Sequence, residues 1–217
     1  MHTFREVETA AYCPRKLYYR RRAGAPDVPD RVRHCRDLAF EYERLLADEA
    51  ALLAAPVEVS PTEYRSRLGG VKARLDCWDE LADPPQREQL LEGRECRGIA
   101  HKVLENPLAP SLAFAGRPPD QGVWEPQSVR LVAAAKALAW ERRTPVERAF
   151  AEYPAYGVVR AVELGTRRKA AYRQAVRTAD AVDAPPARID DEAKCDACEF
   201  SGQCGVRTRS LRSRLQG

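Results

Sequence analysis

Four of the seven cysteines are spaced for chemistry. Cys195 and Cys198 stand three positions apart, Cys204 follows after five intervening residues that include Gly202, and Cys13 lies near the other end in Tyr12-Cys13-Pro14-Arg15-Lys16. Two thiolates three positions apart can face one metal centre across a tight turn, and a third completes a half-shell. The fourth ligand must come from elsewhere. Cys13 is the best candidate, because Pro14 fixes the backbone beside it and Cys-Pro pairs recur next to iron–sulfur ligands. A cofactor held this way would close the chain end to end. Small buried hydrophobes or disulfides are the alternative reading of such thiols. Close spacing without a secretory signal favours a metal site. Four thiolates suit zinc as well as iron–sulfur, and spacing alone leaves that choice open. Cys35, Cys77 and Cys96 are scattered and read as packing residues.

The chain that must position these residues has 217 of them, enough for one core with a cysteine-capped extension. No stretch resembles a signal peptide, and no apolar run approaches the roughly 20 residues of a membrane helix, so a soluble, cytoplasmic protein is expected. The net charge is a modest +4, but only six of the 36 basic residues are Lys. Arginine grips phosphate with a planar fork of donors, so the composition permits a nucleic-acid partner. A GC-rich genome enriches the same residue, and composition alone does not choose.

Taken in order, residues 4–22 read as a helical segment with an aromatic face (Tyr12, Leu17, Tyr18, Tyr19) and a basic one that includes Arg15 and Lys16. Such interleaving can hold a phosphate backbone and stack on bases; a snorkelling amphipathic helix has the same pattern. Apolar steps of three and four predict one long helix over 31–53, ended by Pro56, with a strand start over 56–60. Further strands are expected over 71–78, before Asp83-Pro84-Pro85, over 98–104 and over 111–115. An Ala-rich helix capped by Ser128 is expected over 127–142, a strand over 155–164 and a basic helix over 166–177. A linker with Pro185 and Pro186 leads to the cysteines and to a tail carrying Arg207, Arg209, Arg212 and Arg214.

The cysteine at Tyr12-Cys13-Pro14-Arg15-Lys16-Leu17-Tyr18-Tyr19, together with Cys195, Cys198 and Cys204, resembles the frame of the CRISPR-associated RecB-like exonucleases, the Cas-four family of the PD-(D/E)XK nucleases. The Ala-rich helix ending Ala137-Leu138-Ala139-Trp140-Glu141 and the strand with Tyr156-Gly157-Val158-Val159 extend the resemblance over nearly the whole chain. It implies an α/β fold with a restriction-endonuclease-like core, a mixed sheet flanked by helices. One domain would span 1–217, with residues 1–30 and 185–217 forming the cysteine subregion around a [4Fe–4S] cluster held by Cys13, Cys195, Cys198 and Cys204. It also implies DNA as partner, with Arg15, Lys16, Arg167, Arg168, Lys169 and Arg173 as candidate contacts, and other CRISPR adaptation proteins alongside.

Members of that family cleave DNA with Mg²⁺ or Mn²⁺ held by an Asp on one strand and a Glu-x-Lys on the next, usually with a His from the long helix. Two carboxylates hold the metal over the phosphate, and the Lys helps activate water. The Gly-x-x-Asp strand best matches Gly98-Ile99-Ala100-His101, which puts His101 in place of Asp. The Glu-x-Lys strand best matches Pro110-Ser111-Leu112-Ala113-Phe114-Ala115-Gly116, which puts Leu112 and Phe114 in place of Glu and Lys. His34 or Ala39 falls near the expected His, and Lys136 at an expected Gln. The match implies a DNA-binding protein with a degenerate nuclease site. The alternative is an active exonuclease with relocated ligands: Asp76 as the strand-end carboxylate, with Asp79, Glu80, Glu92, Glu95 or Glu105 as the second. Asp76 reads more readily as a solvated or turn-capping carboxylate, and His101 as a strand histidine with one structural hydrogen bond. A zinc-stabilised DNA-binding protein is the third reading.

Overall fold

The computed structural model describes residues 1–24 and 27–204. The chain opens with a two-residue strand β1 (His2–Thr3) and helix α1 (Phe4–Tyr12). A capping box starts α1: the Thr3 side chain accepts from the Glu6 amide while the Glu6 carboxylate accepts from the Thr3 amide. Helix α2 (Pro14–Ala23) follows after the single extended residue Cys13. A proline disfavours helical backbone in the residue before it and suits the first helical turn, so Pro14 ends one helix and begins the next.

The long helix expected over 31–53 is broken into α3 (Asp30–Asp37), a 3₁₀ turn (Leu38–Phe40), α4 (Tyr42–Ala47) and α5 (Glu49–Ala54). Asp48 turns extended and its side chain accepts from the Ala51 amide, a cap inside what periodicity read as continuous helix. No strand forms over 56–60 or 71–78. Ser60 caps and Pro61 starts α6 (Pro61–Arg74), which runs through Gly69-Gly70 without turning. Its Tyr64 and Leu68, with Val71 and Leu75, follow helical spacing onto the core. The segment before Asp83 is likewise helical, α7 (Trp78–Ala82).

The sheet is built from β1, β2 (Gln86–Glu92), β3 (Cys96–Glu105), β4 (Leu108–Ala113), β5 (Arg148–Tyr153) and β6 (Val158–Glu163). It is a mixed sheet in the order β1-β3-β4-β5-β6, with β2 also paired to β3. The β4–β5 pair is parallel, joined through α8 (Glu125–Arg142), and β2–β3, β3–β4 and β5–β6 are antiparallel. The sequence predicts neither β2 nor β5: Gln86-Arg87-Glu88-Gln89 carries no apolar alternation, and in Arg148–Tyr153 the charged Arg148 and Glu152 interrupt a short apolar run. Helix α8 starts at Glu125 with Trp124 as its cap; Ser128 is buried within it and caps nothing. Helices α9 (Thr166–Asp180) and α10 (Glu192–Asp196) complete the described chain. No helix among the described residues is long and apolar enough to cross a membrane.

Helices flank the sheet on both faces, giving two cores. On the front face α1, α8 and α9 pack over Ala100, Val103, Leu112, Ala149 and Ala151. On the back face α3 to α7 pack over Leu104, Ala109, Ala113 and Phe150. Helix α1 lies so close to β3 that a Cβ on Gly98 would fall 2.6 Å from the Phe4 ring. The β2–β3 ladder is interrupted where Glu88 (φ 48°) faces His101.

Candidate functional site

Two neighbouring sites are assembled around α1 and α2. The first is the cysteine cavity. Cys13, Cys195, Cys198 and Cys204 all line one small cavity of about 30 Å³, together with Tyr12, Lys16, Tyr19, Arg188 and Phe200. Each has a local reason for its place. Cys13 is the extended residue between α1 and α2, its amide donating to Thr9 O at 2.8 Å. Asp191 caps α10 through the Lys194 amide, and the chain then turns tightly, with the Cys198 amide on Cys195 O and the Cys204 amide on Phe200 O.

Side chains tie the two ends together around this cavity. Lys16 and Arg20 both meet the Glu199 carboxylate, at 2.9 and 2.6 Å. Arg15 donates to Pro186 O, Tyr12 to Lys194 O, and the Tyr19 and Phe200 rings stack at 5.9 Å. The Cys195 thiol raises the pKa of the Arg188 guanidinium, which lines the same cavity. Four free thiols with cations beside them form a soft donor set of the kind that takes zinc or iron–sulfur. Among the described residues no group of three or more His, Cys, Asp or Glu side chains is arranged to hold a metal ion. Cys35, Cys77 and Cys96 are buried elsewhere.

The second site is an open cleft of about 1080 Å³ between α1, α3, the end of β4 and the start of α8, with the C-terminal segment along its rim. Six cationic side chains line it (Arg5, Lys16, Arg20, Arg36, Arg130 and Lys194) against three carboxylates (Glu8, Asp27 and Glu199), so the wall is net positive. Arg130 meets Glu8 at 3.3 Å and its guanidinium sits over the Phe114 ring. Gln127 accepts from the Tyr153 hydroxyl at 2.5 Å.

Of the three positions set against Asp, Glu and Lys, Phe114 reaches this cleft and the other two are buried. Phe114 lines the cleft, Leu112 is buried in the front core, and His101 is buried beside them, its Nδ1 accepting from the Ala113 amide at 2.7 Å. Burial, then the positive charges of Arg130, Arg36, Lys102 and Arg5, push the His101 pKa down to about 2, so the ring is neutral. His101 is thus the strand histidine with a structural hydrogen bond.

The relocated carboxylates do not assemble. Asp76 is an exposed residue of the turn between α6 and α7, because the strand expected to carry it is helix. Glu80 accepts from the Glu105 and Asn106 amides and fixes the β3–β4 turn. Glu92 faces Arg97, and Glu95 accepts from the Tyr172 hydroxyl. His34 is exposed, Ala39 is buried in the back core, and Lys136 stands over the Tyr172 ring.

The candidate DNA contacts separate. Lys16 lines both the cleft and the cysteine cavity, while Arg15 is committed to Pro186. Arg167, Lys169 and Arg173 are exposed on α9 and Arg168 is half-buried against Glu163 O; none of the four lines the cleft. The tail arginines 207, 209, 212 and 214 lie outside the described residues. Sequence reasoning missed Arg5, Arg36 and Arg130, which come from three helices far apart in the chain and belong to no motif.

A second arrangement missed in the sequence lies behind the sheet. Lys102, beside His101 in the chain, is fully buried and donates to Glu152 Oε2, Ala39 O and Leu81 O at 2.8, 2.6 and 2.7 Å. Ser111 donates to Glu152 Oε1 at 2.5 Å. Burial lowers the Lys102 pKa, yet three acceptors take up the three hydrogens that only the ammonium form offers. Scanned against family models and searched against curated proteins, the chain has no match.

Proposed function

We propose that this chain is a DNA-binding protein of the kind of the CRISPR-associated RecB-like exonucleases, with a nuclease centre that no longer cleaves, serving CRISPR adaptation or DNA processing. The observation that carries this reading is the positively lined cleft with Phe114 in its wall and His101 buried nearby, bonded to the Ala113 amide, where a working centre of that kind would need carboxylates and a lysine. A cleft of this charge attracts a polyanion, and a neutral histidine beside two apolar side chains supplies neither a metal-holding carboxylate pair nor a water-activating group.

In the same reading Cys13, Cys195, Cys198 and Cys204 hold a [4Fe–4S] cluster, supported by their convergence on one cavity and by the soft donor set. The cluster would supply covalent closure of the chain ends, adding to the Glu199 ion pairs and the Tyr19–Phe200 stack. The core around the cleft is then the restriction-endonuclease-like one.

The test is an assay on protein purified without oxygen, with labelled single- and double-stranded DNA in Mg²⁺ and in Mn²⁺. DNA bound and left intact is the expected result. Cleavage abolished by Asp76→Ala would instead establish a nuclease with relocated ligands. Brown protein that loses iron in Cys13→Ala, Cys195→Ala, Cys198→Ala or Cys204→Ala, and keeps it in Cys35→Ala, is expected; a colourless protein carrying zinc would replace the cluster.

A further inference from the structure

The cations of the cleft are not equivalent. Lys16 and Arg20 share Glu199, Lys194 meets Asp191 and Arg130 meets Glu8. Arg5 and Arg36, by contrast, make no side-chain hydrogen bond and no ion pair with any described residue, though both are half-buried. The Nε atoms of Arg36 and Arg130 are buried and without a partner.

Arg5, Arg36 and Arg130 also line the same cleft and act on one another through their charge. Burial and the charge of Arg130 depress the Arg5 pKa, and the same two causes depress that of Arg36. Like charges held together out of water raise the free energy of the empty protein. A phosphate relieves that cost because it accepts from several guanidinium forks at once. Glu8 competes for Arg130, and its charge and that of Glu88 act on Arg5 and Arg36 without forming an ion pair with either.

We propose that Arg5, Arg36 and Arg130 form a metal-independent phosphate-binding subsite, taking one phosphate group of a nucleic-acid strand where a nuclease would place a divalent ion and its scissile phosphate. The proposal rests on the DNA-binding reading of the same cleft. Internal phosphodiester and terminal phosphate share the chemistry, and strands with and without a 5′-phosphate tell them apart.

The experiment is fluorescence anisotropy of a labelled single-stranded oligonucleotide on the full chain, purified without oxygen, in EDTA and in Mg²⁺ over a range of salt. Wild-type affinity is expected to be the same in both. Arg5→Gln and Arg36→Gln are each expected to weaken binding on the order of tenfold and to lower the salt slope by about 0.7, whereas Arg167→Gln with Arg173→Gln on α9 does so by less. A requirement for Mg²⁺, wild-type affinity in Arg36→Gln, or an equal loss in the α9 variant overturns the subsite while DNA binding stands.

Thermal unfolding with inorganic pyrophosphate reads the subsite by itself. The wild type is expected to gain stability, and Arg36→Gln to gain none while unfolding no lower than wild type in its absence. If the wild type binds no DNA, the DNA reading fails; a pyrophosphate shift lost in Arg36→Gln then still supports the subsite, and no shift overturns it.

Discussion

Charge is buried on both faces of this sheet, and the two faces treat it differently. Behind the sheet, Lys102 meets one carboxylate and two carbonyls, and Glu152 is held again by Ser111, so that both charges are paired. In front, Arg5 and Arg36 share a cleft with Arg130 and form no direct ion pair among the described residues, the charges of Glu8 and Glu88 acting on them without contact. A saturated buried pair has no capacity for a ligand and serves to fix β3, β4 and β5 against the 3₁₀ turn and α7. A cluster left partly unpaired and opening on a cleft stores a cost that an incoming anion relieves. The residues are alike in charge, so what separates structure from site is whether partners were built in.

The comparison is broken most forcefully behind the sheet. Lys102→Met leaves Glu152 buried and half-paired, and equilibrium urea unfolding is expected to show a loss of about 3–5 kcal/mol. Replacing both partners, Lys102→Met with Glu152→Leu, is expected to restore most of it, because neither residue then strands a charge. A double variant as unstable as the single would mean that the pair is needed for more than mutual neutralisation.

The pH dependence sharpens the front face. His101 is held neutral in the fold with its pKa down to about 2, whereas an unfolded histidine titrates near 6.5. Between those values the unfolded chain binds a proton that the folded chain does not. The stability contributed by neutral His101 is therefore present above about pH 6.5 and lost as pH falls, by up to about 1.4 kcal/mol per pH unit. His101→Asn keeps an acceptor for the Ala113 amide and removes the titration. Its stability is expected to decline less steeply from pH 7 to pH 5, measured by denaturant midpoints.

The smallest effect is expected on α9. Arg167→Gln with Arg173→Gln removes exposed charges that line neither site, and stability should change by less than about 0.5 kcal/mol. A larger loss of stability would mean that this basic face takes part in packing.

Strands β3 and β6 and helix α8 were legible in the sequence, because each carries a run of apolar residues with its own period; α9 is legible as a basic helix, and β4 runs over Leu108–Ala113 where the sequence predicts 111–115. Strand β2 was not: its residues are mostly polar, and only pairing with β3 makes them a strand. The unbroken period over 31–53 hid the breaks at Leu38–Phe40 and Asp48, because cap chemistry and a carbonyl needed by Lys102 override periodicity locally. Asp76 was misplaced for the same kind of reason, since β-branched and helical signals in a short segment compete and Ser60-Pro61 decided for helix.

The sequence by itself determined the four-cysteine frame, because ligand spacing is a local property of the chain, and it determined that His101 and Leu112 stand on adjacent strands, with Phe114 just past the end of the second, because their segments carry strand patterning. Only the tertiary structure decided which basic residues share a cleft. Arg5, Arg36 and Arg130 are separated by 31 and 94 positions, and no local signal distinguishes them from the exposed arginines of α9. It likewise decided that Lys102 faces the back and His101 the front, since which face a side chain joins depends on the register of strands that pair across the sheet.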